Sequence, residues 1–207
     1  MFRNLASDVL GLSDLGKIIE EKDFDKTDID EYVFSEDNEK IFVVIKSKTD
    51  EYCFTNRAFI HLDGKSALSK KKTLKRYLYR HYPISNVRLE TAGTVDLDAE
   101  LKFKAGEEDI SIDIDKKQIE WIRDTYKVLF IISEKCKDIQ KYMTTLDHTH
   151  TAINKMFVLR ELTEQVVLNL PDIINQTIDQ VEIHYNARRD EIQNYDFGSI
   201  FQRYIKW

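Results

Sequence analysis

From Ile41 to Asp115 the apolar and polar positions follow a period near two; beyond Asp115 they recur every three or four residues almost to the end of the chain. A period of two sends successive side chains to opposite faces of a strand, and spacings of three and four line one face of a helix. The first stretch resolves into seven predicted strands: Ile41–Ser47, Glu51–Thr55, Ala58–Asp63, Thr73–Arg80, Ser85–Thr91, Asp96–Lys104 and Asp109–Asp115. Turn signals separate most of them, among them Thr49-Asp50, Asn56-Arg57, Asp63-Gly64, Pro83, Ala92-Gly93 and Gly106-Glu107. The last two strands alternate most clearly. Leu97, Ala99, Leu101 and Phe103 oppose Asp96, Asp98, Glu100, Lys102 and Lys104; Ile110, Ile112 and Ile114 oppose Asp109, Ser111, Asp113 and Asp115. One buried and one wet face is what the wall of an antiparallel sheet or barrel requires.

After Asp115, a candidate cap, Ile119, Ile122, Tyr126 and Leu129 form one stripe and Trp121, Thr125, Val128 and Ile132 an adjacent one. So wide an apolar face has to be covered from two sides. The helical pattern continues through Ile139, Met143 and Leu146, with a predicted break and helix-to-helix turn at Asp147–Thr151. A second stripe follows at Ile153, Phe157, Leu162, Val166 and Leu170, and a third, beyond Pro171, at Ile174, Ile178, Val181, Tyr185 and Ile192. Helices of this length bury such stripes by packing on one another or on other subunits. The terminal Phe201, Tyr204, Ile205 and Trp207 predict a tail that docks. At the other end, Leu5, Val9, Leu12 and Leu15, followed by Ile18 and Ile19, predict a short amphipathic helix over Met1–Glu21, weakened by Gly11 and Gly16; Lys22–Asp37 is expected to be irregular or short helix.

Composition narrows the class. Apolar residues are 42% of the 207, enough for a sizeable core, while six Gly and two Pro argue against a wholly β, loop-rich protein. The net charge of -6 excludes nucleic-acid binding by bulk electrostatics. Cys53 and Cys136 have neither disulfide-framework nor zinc-site spacing and read as reduced, buried thiols. No apolar run approaches the length of a membrane span and no signal peptide is visible, so a cytoplasmic location is expected.

Tyr52-Cys53-Phe54-Thr55-Asn56-Arg57 followed by Ala58–Leu62, and the segment from Glu90 through Ala92-Gly93-Thr94-Val95-Asp96 to Phe103, resemble the bacterial pleckstrin-homology (PH) domain family; the helical remainder resembles the oligomerisation region of its YvbH-like members. The resemblance implies an α+β fold: a PH-like seven-stranded antiparallel barrel or sandwich capped by a helix, then an all-helical C-terminal region. The expected division is a helical segment at 1–32, a PH-like domain at 33–131 and a helical oligomerisation region at 132–207. Asn56 is expected at the positive φ of a tight hairpin.

One charge feature stands out. From Gly64 to Leu89 there are eight Lys or Arg and no Asp or Glu. Lys65, Lys70, Lys71, Lys72, Lys75 and Arg76 are therefore the candidate site for an anionic ligand or partner. Acidic residues at 96, 98, 100, 109, 113 and 115 invite a hard cation, but alternating carboxylates on a wet strand are an ordinary solution for solubility. Asp147-His148-Thr149-His150 lacks the context of a metal site, and His61 has no evident partner. No nucleophile elbow, phosphate loop or Cys–His pair is present. The expectation is a non-enzymatic protein without metal or cofactor, homo-oligomeric through Ile139, Met143, Phe157, Leu162, Val166, Leu170, Ile174, Ile178 and Val181. The alternative is a peripheral adaptor binding anionic lipid through Lys65–Arg80; membrane association is not favoured.

Overall fold

The computed structural model describes residues 15–64, 72–91, 98–161, 170–192 and 195–207. Among the described residues eight strands make two antiparallel sheets: β1 (Lys17–Ile19), β2 (Ile41–Lys46), β3 (Glu51–Thr55), β4 (Ala58–Asp63) and β5 (Thr73–Leu78) in one, and β6 (Ile84–Thr91), β7 (Asp98–Ala105) and β8 (Glu108–Asp115) in the other, each in sequential order. The expected single seven-stranded barrel is thus corrected to an unclosed pair of sheets. One corner is joined through Gly16, whose N–H donates to the Asp113 carbonyl and whose carbonyl accepts from the Asp115 N–H, at 2.8 and 2.9 Å. A Cβ at Gly16 would lie 2.7 Å from Ile45 Cγ2, so this close approach requires glycine. At the other corner, between β5 and β6, the ladder stops. The chain turns at Tyr79, a buried residue whose hydroxyl donates to the Thr55 carbonyl.

Strand β1 replaces the end of the expected N-terminal helix; residues 1–14 of that helix lie outside the described residues. Ile18 and Ile19 are both buried opposite Ile45 and Val44 of β2. On the other side the Gln118 amide brackets β1: Ile18 N–H donates to Gln118 Oε1 at 2.7 Å, and Gln118 Nε2 donates to the Ile18 carbonyl at 2.9 Å. Three residues are too few to display a period of two, so the helical spacing prevailed in the sequence.

The two sheets differ in burial, and the sequence reflects it. In β2, β3 and β4 the runs Val43–Ile45, Cys53–Phe54 and Ala58–Ile60 are buried without interruption, the mark of a sheet covered on both faces. One face packs Val44, Cys53, Ile60 and Leu62 against Phe24, Ile29 and Val33. These come from the acidic segment before β2, which forms three short 3-10 turns at Glu21–Lys26, Ile29–Tyr32 and Ser35–Asp37. The opposite face joins Phe54 and Phe59 to Phe103 of β7, with ring centroids 5.9 and 5.1 Å apart. In β7 burial alternates residue by residue, as its sequence predicts.

Helix α1 (Ile119–Glu161) buries Ile122, Val128, Leu129, Ile132 and Cys136, and it is followed by α2 (Leu170–Ile192) and α3 (Gly198–Tyr204). No break occurs at Asp147–Thr151; that stretch is helical throughout, and the expected turn is withdrawn. The Thr residues in and just before it fit, since Thr144, Thr145 and Thr149 hydroxyls donate to carbonyls four residues earlier. The chain divides into two compact units. One runs to Cys136 and regains Tyr195–Trp207; the other is Lys137–Asn194. The tail therefore docks on the sheet unit, with Phe201 stacked on Phe42 at 4.9 Å and Trp207 stacked on Trp121 at 4.4 Å.

Asn56 does not adopt a positive φ; Asn38, Asn86 and Gly106 do. Asn56 is buried, and its side chain works instead as a bracket. Its Oδ1 accepts from Lys40 N–H at 2.8 Å, and its Nδ2 donates to the Asn38 carbonyl at 3.3 Å and to Asp196 Oδ2 at 2.7 Å. Gly93 lies outside the described residues.

Candidate functional site

Of the six candidate cations, Lys65, Lys70 and Lys71 lie outside the described residues. Lys72, Lys75 and Arg76 lie just before and along β5, an edge strand of the larger sheet. Two of these three are committed within the chain. Lys72 pairs with Asp28. Arg76 pairs with Glu39, donates to the Tyr32 carbonyl at 3.1 Å and lies 4.5 Å over the Phe34 ring. Glu39 is buried and also accepts from Thr55 Oγ1 at 2.6 Å and Phe34 N–H at 3.0 Å. Burial opposes its charge, but these two donors and the Arg76 guanidinium outweigh it and hold the carboxyl below its ordinary range. The basic strand is thus tied to the acidic segment that covers the sheet. Lys75 is exposed.

Of the residues expected to mediate assembly, those described fall on two helices of the second unit. Ile139 and Met143 of α1, with Ile178 and Val181 of α2, are half-buried. Leu162 and Val166 lie outside the described residues, and for Phe157, Leu170 and Ile174 only the helical backbone is described. No described residue of this unit is buried in the single chain, whereas Tyr142 is 61% and Ile183 58% exposed. Between the helices, Tyr185 Oη donates to Asp147, and the Tyr185 ring stacks on His150 at 4.2 Å. The His motif therefore serves contact between helices.

His61 does have a partner: its Nε2 is 2.9 Å from Asp50 Oδ1, and its ring stacks on Tyr52 at 4.5 Å. That contact lowers the Asp50 carboxyl, against the opposing effect of burial. In the acidic row, Asp98 faces Asp115 and Glu100 faces Asp113 across β7 and β8, with Lys102 between Glu90 and Glu100 at 2.8 Å from each. Asp113 is pushed up by burial and then by Glu100 and Asp98. Asp96 lies outside the described residues. Among the described residues no three His, Cys, Asp or Glu side chains are grouped to hold a metal ion.

Sequence reasoning missed one feature, a cavity of about 680 Å³ beside the docked tail. Phe24, Phe42 and Trp207 form its apolar wall, and Glu21, Asp30 and Glu39 its acidic one. The signals were present separately, as an acidic stretch before the first strand and an aromatic tail.

Two antiparallel sheets packed face to face, followed by a helix that buries its apolar face on the same unit, define a PH-like fold. The chain belongs to the bacterial PH domain family, whose model matches residues 9–133. It is 47% identical to the uncharacterized protein YvbH of Bacillus subtilis (strain 168), over 99% of each chain. It is also similar to the crystal structure of a PH-domain-containing bacterial protein from Exiguobacterium sibiricum 255-15: 43% identity, 93% of this chain, 100% of that one, TM-score 0.76. These relatives indicate no enzyme family. Among the described residues no helix is long and apolar enough to cross a membrane.

Proposed function

We propose that this protein is a non-enzymatic scaffold that self-associates through α1 and α2 beyond Cys136 and so presents several copies of its PH-like unit. The observation that carries this reading is the burial in the second unit. Its apolar seam is only half-covered in one chain, and it leaves Tyr142 and Ile183 in water. A helix pair with no buried side chain among its described residues gains stability by burying that seam against further copies. Assembly would then turn weak contacts of each PH-like unit into avid ones.

The test is the mass of the full-length protein in solution. Light scattering at micromolar concentration is expected to give a multiple of 24.5 kDa. The exposed-site changes Tyr142→Glu and Ile183→Glu should return it to the single-chain mass with helicity retained. A wild-type protein of single-chain mass would refute the reading. The alternative, docking on anionic lipid through Lys65–Arg80, is weakened by the engagement of Lys72 with Asp28 and Arg76 with Glu39. Co-sedimentation with anionic vesicles at low salt separates the two readings.

A further inference from the structure

The cavity beside Trp207 combines the two elements that recognise an organic cation. Its rings are fixed in place: Trp207 stacks on Trp121 and meets Phe24 edge-on at 5.5 Å, while still 40% exposed. Its carboxylates are unequal. Glu39 is engaged by Arg76. Asp30 is half-buried, and its carboxylate has no hydrogen-bond or ion-pair partner among the described residues. Its carboxyl is raised, first by burial and then by Asp25 and Glu31, so an incoming cation would relieve an unfavourable charge. Among the described residues Lys40 is the one cation on this wall, and Glu21 with Asp30 leaves the described lining net negative.

The surroundings continue the same chemistry. A second hollow of about 350 Å³ shares Glu21 and Trp207 with the first, so the groove extends past the indole. Glu20 through Glu39 carries ten carboxylates against two lysines. Asp25, Glu36 and Asp37 of that stretch are exposed beside the cavity residues Phe24, Ser35 and Asn38. The protein already makes one such contact nearby, since the Arg76 guanidinium lies between the Glu39 carboxylate and the Phe34 ring.

We propose that this groove binds an arginine- or lysine-bearing segment of a partner protein. One cationic side chain enters the cavity against Asp30 and the aromatic wall, and its neighbours meet the flanking carboxylates. A segment is favoured over a small amine because the acidic surface and the second hollow extend well beyond the reach of one charge. Fluorescence anisotropy of a labelled peptide of alternating arginine and serine, added to the full-length protein, tests this. Saturable binding that weakens with salt is expected, and Asp30→Asn should weaken it about tenfold, roughly the effect of one charge-assisted contact. Asp109→Asn, on the exposed β7–β8 hairpin, should leave binding unchanged. Trp207→Ala should lose binding as Asp30→Asn does, which keeps the test open if either variant fails to fold. Absence of saturable binding at low salt would overturn the proposal, as would equal losses for Asp30→Asn and Asp109→Asn. Agmatine binding as tightly as the peptide would overturn it too, by showing a small-cation site.

Discussion

Removing the charge of Glu39 should destabilise the sheet unit alone. In Glu39→Gln the shape is kept, but Arg76 loses its carboxylate, and one amide donor must face a site that now receives hydrogen bonds. Breaking a buried ion pair costs about 3–5 kcal/mol when the surviving charge is stranded. Here Arg76 is not wholly stranded: it retains the Tyr32 carbonyl and the Phe34 ring, and its side chain is 19% exposed. The expected loss is therefore about 2–3 kcal/mol, a large share of the roughly 5–15 kcal/mol typical of a domain. Urea unfolding followed by tryptophan fluorescence suits the question, because Trp121 and Trp207 both lie in the sheet unit. The pH dependence supplies a second check. The folded carboxyl titrates below its ordinary value of 4.5, so its contribution is complete above that pH and is lost as pH falls through the folded value. The gap between wild type and Glu39→Gln should narrow as the pH falls below about 4.5. A gap under about 0.5 kcal/mol at pH 7, within the range of ordinary surface changes, would refute this account of the network.

Two further outcomes follow from burial. Phe201→Ala removes a fully buried ring stacked on Phe42 and should cost about 3–4 kcal/mol, with exposure of Trp207 visible as a red-shifted emission; unchanged emission and stability would mean that the tail does not dock in solution. Burial also pushes the Cys53 thiol well up and the Cys136 thiol up to about 11, so neither should react with a thiol reagent at pH 8 until the unit unfolds. Fast labelling of either in the native protein would contradict that burial.

Much of the strand plan was legible because it is local. Seven of the eight strands among the described residues follow from alternation and turn residues, and Gly106 occupies the tight turn between β7 and β8 where a positive φ is needed. The failures share a cause. β1 is extended because β2, Gln118 and the backbone of β8 supply its hydrogen bonds, none of them near it in sequence. Asp147–Thr151 stays helical although Asp, His and Thr favour turns; Asp147 and His150 meet Tyr185 of α2, a partner that local propensity does not see. Likewise the basic run was visible as charge, but the pairing of Lys72 with Asp28 and of Arg76 with Glu39 joins positions about forty residues apart.

The sequence by itself determined the class of fold, since hydrophobic period and turn chemistry act over a few residues, and the family resemblance was carried by the segments Tyr52–Leu62 and Glu90–Phe103. It also announced that the aromatic tail would dock. Tertiary structure alone decided where. Phe201 and Trp207 pack on Phe42 and Trp121, which places the tail with the sheets and forms the acidic cavity beside Asp30. A cavity is defined by surfaces from separate elements, and its charge balance depends on which carboxylates have found cations and which have not. That information exists only once the chain has folded.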